Sequence, residues 1–390
     1  MHYNFDEIID RRNTNSVKFD LLNFYFGTED VLPMFVADMD FRTPDFIIDA
    51  VKKRAEHPVY GYSFRPDSFN DSIKGCMKRR HEWEIKNGWV AFSPGVMPSV
   101  NMCIMAYTNP GDKIIVQPPV YFPFFQAITT NKRQMVYNPL KLVDSRLCMD
   151  LDDLKKKIDP EVKMILLCSP HNPGGTLWTK NELEQLAAIC LENKILIISD
   201  EIHSDLVFKP GKHIPTASIS KEIRNITVTC IAPSKTFNTA GLSTSAVIIQ
   251  HSELFSKYKK MLKQVHVDNG NLFGNLALEA AYTHGDEWLE QCLEYLQHNR
   301  DFTIDYIQKN IPQIVPIKPQ ATYLIWLDCR KLVMTPASLK EFFIKKARVG
   351  LSDGAMFGPG GEGFQRLNFA CPRAILKEGL EKIEKAVKSL

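Results

Sequence analysis

One lysine of this chain stands where an amine could do covalent chemistry. Lys235 lies in Ile231–Ser245, read I-A-P-S-K-T-F-N-T-A-G-L-S-T-S, between two apolar, β-branched runs, Ile226–Ile231 and Ala246–Ile249. A buried strand that ends in Pro-Ser-Lys holds its amine at a fixed point on a sheet edge. A lysine on such a loop is usually a solvated surface residue, because lysine is rarely buried. The sharper reading is an amine that forms a Schiff base with an aldehyde cofactor. Lysine alone does not separate the two.

Other polar singletons do more. Asn172 follows the apolar run Val162–Ser169 in P-H-N-P-G-G, and Asp200 ends the run Lys194–Ser199. Tyr121 comes just after Asp112–Gln117, and Gly95 just after Trp89–Phe92. Taken singly, Tyr121 reads as a core aromatic and Gly95 as part of an ordinary βα turn. Taken together, five such groups fall past strand ends, at the edge where open α/β sheets bind ligands. Their chemistry is complementary. An acid there can hold a ring nitrogen protonated, and a neutral amide can bond a phenolate oxygen. A lysine can hold an aldehyde carbon, and a Gly turn at a helix N-terminus can hold a phosphate. That is the recognition list of pyridoxal 5′-phosphate (PLP).

The elements that must position these groups alternate. Strands are expected at Trp89–Phe92, Asp112–Gln117, Val162–Ser169, Lys194–Ser199 and Ile226–Ile231. Helices are expected at Pro44–His57, Ser99–Tyr107 and Lys180–Asn193. Thr179 and Glu182 form a capping box for the last of these, which should bury Leu183, Leu186, Ala187, Cys190 and Leu191. Continuous apolar strands separated by helices imply a parallel sheet covered on both faces. Beyond Gln250 the pattern changes. Helical stretches run to Leu262, over Asn275–His284 and over Asp286–Asn310. Then come a Pro-broken segment, Ile311–Pro319, a strand at Thr322–Leu327 and a helix at Ser338–Val349. A Gly-rich loop, Gly350–Gly363, a strand, Arg366–Phe369, and a helix, Leu376–Val387, close the chain. This tail reads as a smaller α+β domain. The charged start, Asn4–Asp20, reads as an arm, Val31–Thr43 as an extended segment crossing a cleft, and Tyr60–Pro66 as an aromatic loop.

Composition limits the alternatives. The chain has 390 residues, 44% hydrophobic and 24% charged, with a net charge of +3 from 48 basic and 45 acidic residues. No basic block marks a nucleic-acid site, and no apolar run is long enough to span a membrane. Met1–Arg12 is polar and acidic where a signal peptide would be apolar. Nine scattered cysteines, without a C-x-x-C pair or zinc spacing, fit reduced thiols in a cytoplasm and no metal site.

The order N-P-G-G (172–175), D-E-I-H (200–203), S-K-T-F-N-T-A-G-L (234–242) and R-L-N-F-A (366–370) resembles fold-type I PLP enzymes of the aminotransferase class I/II superfamily. The resemblance runs through essentially the whole chain. Within that superfamily it is similar to the MalY/PatB-type cystathionine β-lyases, or cysteine C–S lyases. The residues that carry this are N-F-D-E-I-I-D-R-R-N-T-N-S-V-K-F-D, L-P-M-F-V-A-D-M-D-F, Y-G-Y-S, S-P-G-V-M-P, P-P-V-Y-F-P-F and F-Q-R-L-N-F-A-C-P-R.

The resemblance implies an α/β fold of type I: an N-terminal arm over residues 1–44, a large PLP-binding domain with a mostly parallel sheet over 45–285, and a small domain over 286–390. It implies that Lys235 is the Schiff-base lysine, Asp200 the partner of the pyridine nitrogen, Asn172 the partner of the ring oxygen, and Tyr121 the ring that stacks on the cofactor. Gly95, Val96 and Met97 would contact the phosphate, and Tyr62 would reach the phosphate of a neighbouring subunit, giving a homodimer with shared sites. Arg366 would fork onto the α-carboxylate of an amino-acid substrate, with Ala37 lining that site. Two departures stand out. His203 replaces a Tyr common three residues after the Asp, which fits the lyase branch. Ser243 replaces an Arg common eight residues after the Lys, leaving hydroxyls such as Ser234 and Ser243 for the phosphate. The implied reaction is β-elimination from cystathionine or another cysteine S-conjugate. The rivals are transamination of aspartate or an aromatic amino acid, and a regulatory protein that binds a transcription factor while keeping a lyase site.

Overall fold

The computed structural model describes residues 2–390; Met1, the first residue of the expected arm, lies outside them. Seven strands form the principal sheet: β1 (Val90–Ser93), β2 (Lys113–Val116), β3 (Gln134–Tyr137), β4 (Val162–Cys168), β5 (Leu196–Asp200), β6 (Thr227–Ile231) and β7 (Ser245–Ile248). Their spatial order is β1-β7-β6-β5-β4-β2-β3. All neighbours are parallel except those of β7, which runs antiparallel to both β6 and β1. The reason is local: residues 232–244 contain only a short 3-10 turn, Ala240–Leu242, and no crossover helix, so the chain can only reverse.

The alternation of side chains along the strands fills two layers. Met164, Leu166 and Cys168 of β4 pack with Ile198, Val228 and Cys230 beneath helix Val96–Tyr107. Ile165, Leu167 and Ile197 pack on the other face beneath helix Lys180–Glu192. The Thr179–Glu182 capping box is formed. That helix buries Leu183, Leu186, Ala187 and Cys190 as expected, but Leu191 is exposed and Ile189 is buried instead. Leu191 lies at the flank of the apolar stripe, where a rotation of a few degrees decides burial.

A second sheet contains β8 (Val315–Ile317), β9 (Leu324–Asp328), β10 (Ser352–Asp353) and β11 (Phe364–Asn368), in spatial order β8-β9-β11-β10 and antiparallel throughout. The Pro-broken segment thus holds a strand; β8 is an edge strand, where Pro316 costs no ladder bond. The Gly-rich loop likewise holds β10. The helix expected over Ser338–Val349 begins earlier, as Pro336–Glu341, widens into a π-helical turn at Phe342–Ala347, and stops there. Val349 and Gly350 instead pair with Leu32 and Pro33. Helix Asp286–Asn310 has the bounds read from the sequence. The arm is less detached than its charge suggests: Phe5 is buried between Phe41 and Trp288, and Lys18 is buried as well.

The N-P-G-G turn after β4 is seated on the segment before β9. Gly175 has φ +63° and accepts from the Gln320 and Ala321 N–H groups at 2.8 and 3.0 Å. A Cβ there would lie 2.3 Å from Pro319 Cβ, so only glycine permits this approach.

Candidate active site

Every expected strand-end residue emerges at one edge of the principal sheet. Asp200 is the last residue of β5 and is buried. Its carbonyl accepts from Ser169 N–H at 2.9 Å, which locks it to the loop after β4. Its carboxylate Oδ1 accepts from the Ile202 N–H at 3.1 Å. Burial pushes this carboxyl up to about 7, against the pull of that N–H and of Lys235. A buried acid with so little compensation is suited to a cation brought in by a ligand.

Lys235 follows β6 on the loop that turns back into β7. Its Nζ donates to the Ala37 carbonyl at 2.7 Å, and the Tyr323 hydroxyl donates to the same oxygen at 2.9 Å. Burial lowers this ammonium to about 8; Asp38 opposes that, Arg366 adds to it, and Asp200 opposes it. The amine is therefore available as a base near neutral pH.

Arg366, on β11, is buried although it carries a full charge. Its Nη1 donates to Asn172 Oδ1 at 2.9 Å, and its Nη2 donates to the Phe35 carbonyl at 2.9 Å and to Ser352 Oγ at 3.1 Å. The guanidinium carbon lies 5.0 Å from the Phe357 ring centroid. Nε is buried without a partner. Because Asn172 accepts through Oδ1, its Nδ2 is left as a donor, the polarity needed for a phenolate oxygen. Tyr121 is half-buried; burial raises its phenol, Asp200 raises it further, and Arg366 opposes, so its charge neighbours are those of the site. His203 is buried with its ring 6.0 Å from that of Tyr323, its Nδ1 unpartnered, and burial holds it down to about 3. It is a neutral imidazole.

Gly95 caps helix Val96–Tyr107 at φ +150°, a conformation reserved for glycine. Its carbonyl takes the Ser99 N–H at 3.0 Å and the Ser93 and Ser99 hydroxyls at 2.9 Å each. Pro98 has no N–H, so the free donors of that helix start belong to Val96 and Met97. Among the described residues the Ser234 and Ser243 hydroxyls have no partner; Ser234 is half-buried and Ser243 is exposed at φ 46°. Tyr62 is not brought to this edge. It stands fully exposed on the loop before helix Asp67–His81. Ala37 lies at the site through its carbonyl, in contact with Lys235.

The donor set fits PLP group by group: an under-compensated acid, an amide with a free N–H, a lowered lysine and a helix N-terminus. Among the described residues no cluster of three or more His, Cys, Asp or Glu could hold a metal. Sequence reading missed Tyr323, Ser352, Phe357 and Asn368. The last had a signal: Asn368 lies two residues from Arg366 on β11, hence on the same face. Its Nδ2 donates to the Val36 and Asp38 carbonyls at 2.6 and 2.7 Å, which holds the segment that carries Ala37.

The aminotransferase class I and II family matches residues 29–383. The chain belongs to this family. Over 385 residues it is 42% identical to cystathionine beta-lyase PatB of Bacillus subtilis (strain 168), covering 98% of this chain and 100% of that protein. It is 33% identical over 392 residues to protein MalY of Escherichia coli (strain K12), covering 100% of both. The structure of cystalysin from Treponema denticola, which contains PLP, matches with a TM-score of 0.95 at 35% identity, covering 100% of both chains. The family thus covers aminotransferases by its description and a lyase by the name of a relative.

Proposed function

We propose that this protein is a PLP-dependent β-lyase acting on cystathionine or other cysteine S-conjugates. The observation that carries the reading is the convergence of Lys235, Asp200, Asn172 and Arg366 on one edge, in a chain similar over its full length to a cystathionine β-lyase. Bound there, PLP supplies an electron sink for charge that develops at the substrate Cα. Asp200 would pair with the pyridine nitrogen, whose positive charge would offset the cost of that buried carboxylate. Asn172, oriented by Arg366, would donate through Nδ2 to the ring oxygen. Tyr121 would pack against the ring. Val96 and Met97 offer N–H groups to the phosphate, with Gly95 shaping the turn, and Ser234 adds a hydroxyl. His203, buried and neutral beside Tyr323, would add an uncharged contact to the cofactor pocket.

Arg366 holds the substrate α-carboxylate with N–H donors not used by Asn172, Phe35 and Ser352, next to the Ala37 segment. Lys235 takes the Cα proton, which burial makes possible near neutral pH. The C–S bond at Cβ breaks with the electron pair going to sulfur. Overall, an S-conjugate of cysteine and water give a thiol, pyruvate and ammonia.

A homodimer completes the reading. Val59, Tyr60, Tyr62 and Phe64 are all exposed on one loop of the isolated chain, the kind of apolar surface that a partner covers. Tyr62 is then the residue that reaches a neighbouring phosphate. We further infer the division into an arm (1–44), a large domain (45–285) and a small domain (286–390), supported by the two sheets falling within 90–248 and 315–368. Nine unpaired cysteines suit the cytoplasm. No helix among the described residues is long and apolar enough to cross a membrane, and the binding partner we propose is a small amino acid rather than nucleic acid.

The deciding experiment incubates the purified protein with cystathionine and measures pyruvate and free thiol. Equimolar release supports the lyase. Keto-acid formation from aspartate or an aromatic amino acid with 2-oxoglutarate, without pyruvate from cystathionine, would establish the aminotransferase instead. Borohydride reduction followed by peptide mapping should place a pyridoxyl group on Lys235 and on no other lysine.

A further inference from the structure

The charged start of the arm, Asn4–Asp20, carries part of the branch signature, yet none of its residues enters the reaction above. Two of its cations leave the surface all the same. Lys18 is 1% exposed, its Nζ 2.7 Å from Asp40 Oδ2 and 3.9 Å from Asp38 Oδ1. Arg11 donates from Nη1 to Asp40 Oδ1 and from Nη2 to Asp38 Oδ2, both at 2.6 Å. It also donates to Asp38 Oδ1 at 3.1 Å and to the Met39 carbonyl at 3.2 Å. Two cations and two carboxylates thus close into a neutral set. Opening such a set leaves an uncompensated charge in a desolvated place.

What this set surrounds is the backbone that frames the site. Phe35 offers its carbonyl to Arg366 and Ser352, Val36 and Asp38 offer theirs to Asn368, and Ala37 offers its own to Lys235 and Tyr323. Met39 and Phe41 offer theirs to Asn238, three residues after Lys235. The charged and titratable groups that act on Lys235 are Asp38, Arg366 and Asp200, with Tyr323 on the shared carbonyl and His203 beside it as a neutral ring. Asp38 is the one of these charges that Arg11 and Lys18 compensate directly.

We propose that Arg11 and Lys18 are positioning residues, which screen Lys235 from the charge of Asp38 and fix the Ala37 carbonyl against its amine. The inference rests on Lys235 being the cofactor lysine. Unscreened, the Asp38 carboxylate favours the protonated state of the lysine nitrogen, so its titration moves to higher pH. An opposite charge that is newly exposed at close range shifts a titration by about one pH unit. An arm that only stabilised the fold would lower the amount of folded protein without moving that midpoint.

The test uses the holoenzyme and follows, by absorbance of the bound cofactor, the pH at which the Lys235–cofactor bond loses its proton. Arg11→Met should raise the midpoint by about one pH unit, and the acid limb of kcat/KM should change with it. Arg11→Lys should stay near the unmodified enzyme. Arg11→Met with Asp38→Asn should return the midpoint, because the unscreened charge is gone. Asp38→Asn alone leaves the arm's cations in excess and should lower it; this variant carries the test if Arg11→Met does not accumulate. Unmoved midpoints in Arg11→Met and Asp38→Asn would overturn the inference. An unmodified enzyme with no titrating absorbance would overturn the assignment of Lys235 itself, and the inference with it.

Discussion

Replacing Arg366 by lysine keeps the charge and removes the fork. The guanidinium has five N–H donors, and three of its bonds already go to Asn172, Phe35 and Ser352. An ammonium has three donors in all, fixed tetrahedrally, so it cannot serve Asn172, the Phe35 carbonyl, Ser352 and a substrate carboxylate together. Loss of one charge-assisted bond to that carboxylate is worth about 2–3 kcal/mol, or roughly 30- to 160-fold in kcat/KM. Asn172 also loses the donor that fixes its amide, which adds to the loss. Every α-amino acid presents the same carboxylate, so the fall should be similar for cystathionine, cystine and S-alkyl cysteines. The assay is initial-rate pyruvate release with each substrate, alongside thermal unfolding of the same preparation. A fall of less than about threefold throughout, or one that differs more than about tenfold between substrates, would refute the carboxylate assignment.

Two further outcomes follow from the same geometry. In the cofactor-free protein, burial raises Asp200 from 3.8 to about 7, so its contribution to stability is complete below about pH 4 and is lost as pH rises through about 7. By linkage the loss is on the order of 4 kcal/mol. Measured by denaturant midpoint, the cofactor-free protein should therefore lose stability relative to its Asp200→Asn variant between pH 5 and pH 7.5, and an identical pH dependence of the two would refute the raised titration of Asp200. For the dimer, mixing Tyr62→Phe with Lys235→Ala subunits should form one doubly damaged site and one otherwise intact site. Activity above both parent homodimers is expected, and a fully active monomer would end the shared-site reading.

How much of this was legible before the structure can be seen from particular elements. Strands β4, β5 and β6 are continuous apolar runs, and their polar terminators, Asn172, Asp200 and Lys235, were readable because a sheet buried on both faces leaves only its ends for polar groups. The helix Lys180–Glu192 announced itself through its capping box, and Asp286–Asn310 through length. Helix Asp67–His81 gave no such signal. It is mostly polar, with Gly75 inside it, and its buried Phe69, Ile73, Cys76 and Met77 find their apolar partners on elements far along the chain. Local pattern records what a residue's neighbours in the chain demand. It does not record that Arg366 meets Asn172 across 194 positions, that the Ala37 carbonyl receives Lys235 across 198, or that Lys18 finds Asp40 inside the protein. Those pairings exist because the two sheets and the arm pack together, and a buried charge then has to find its partner wherever the chain has brought one.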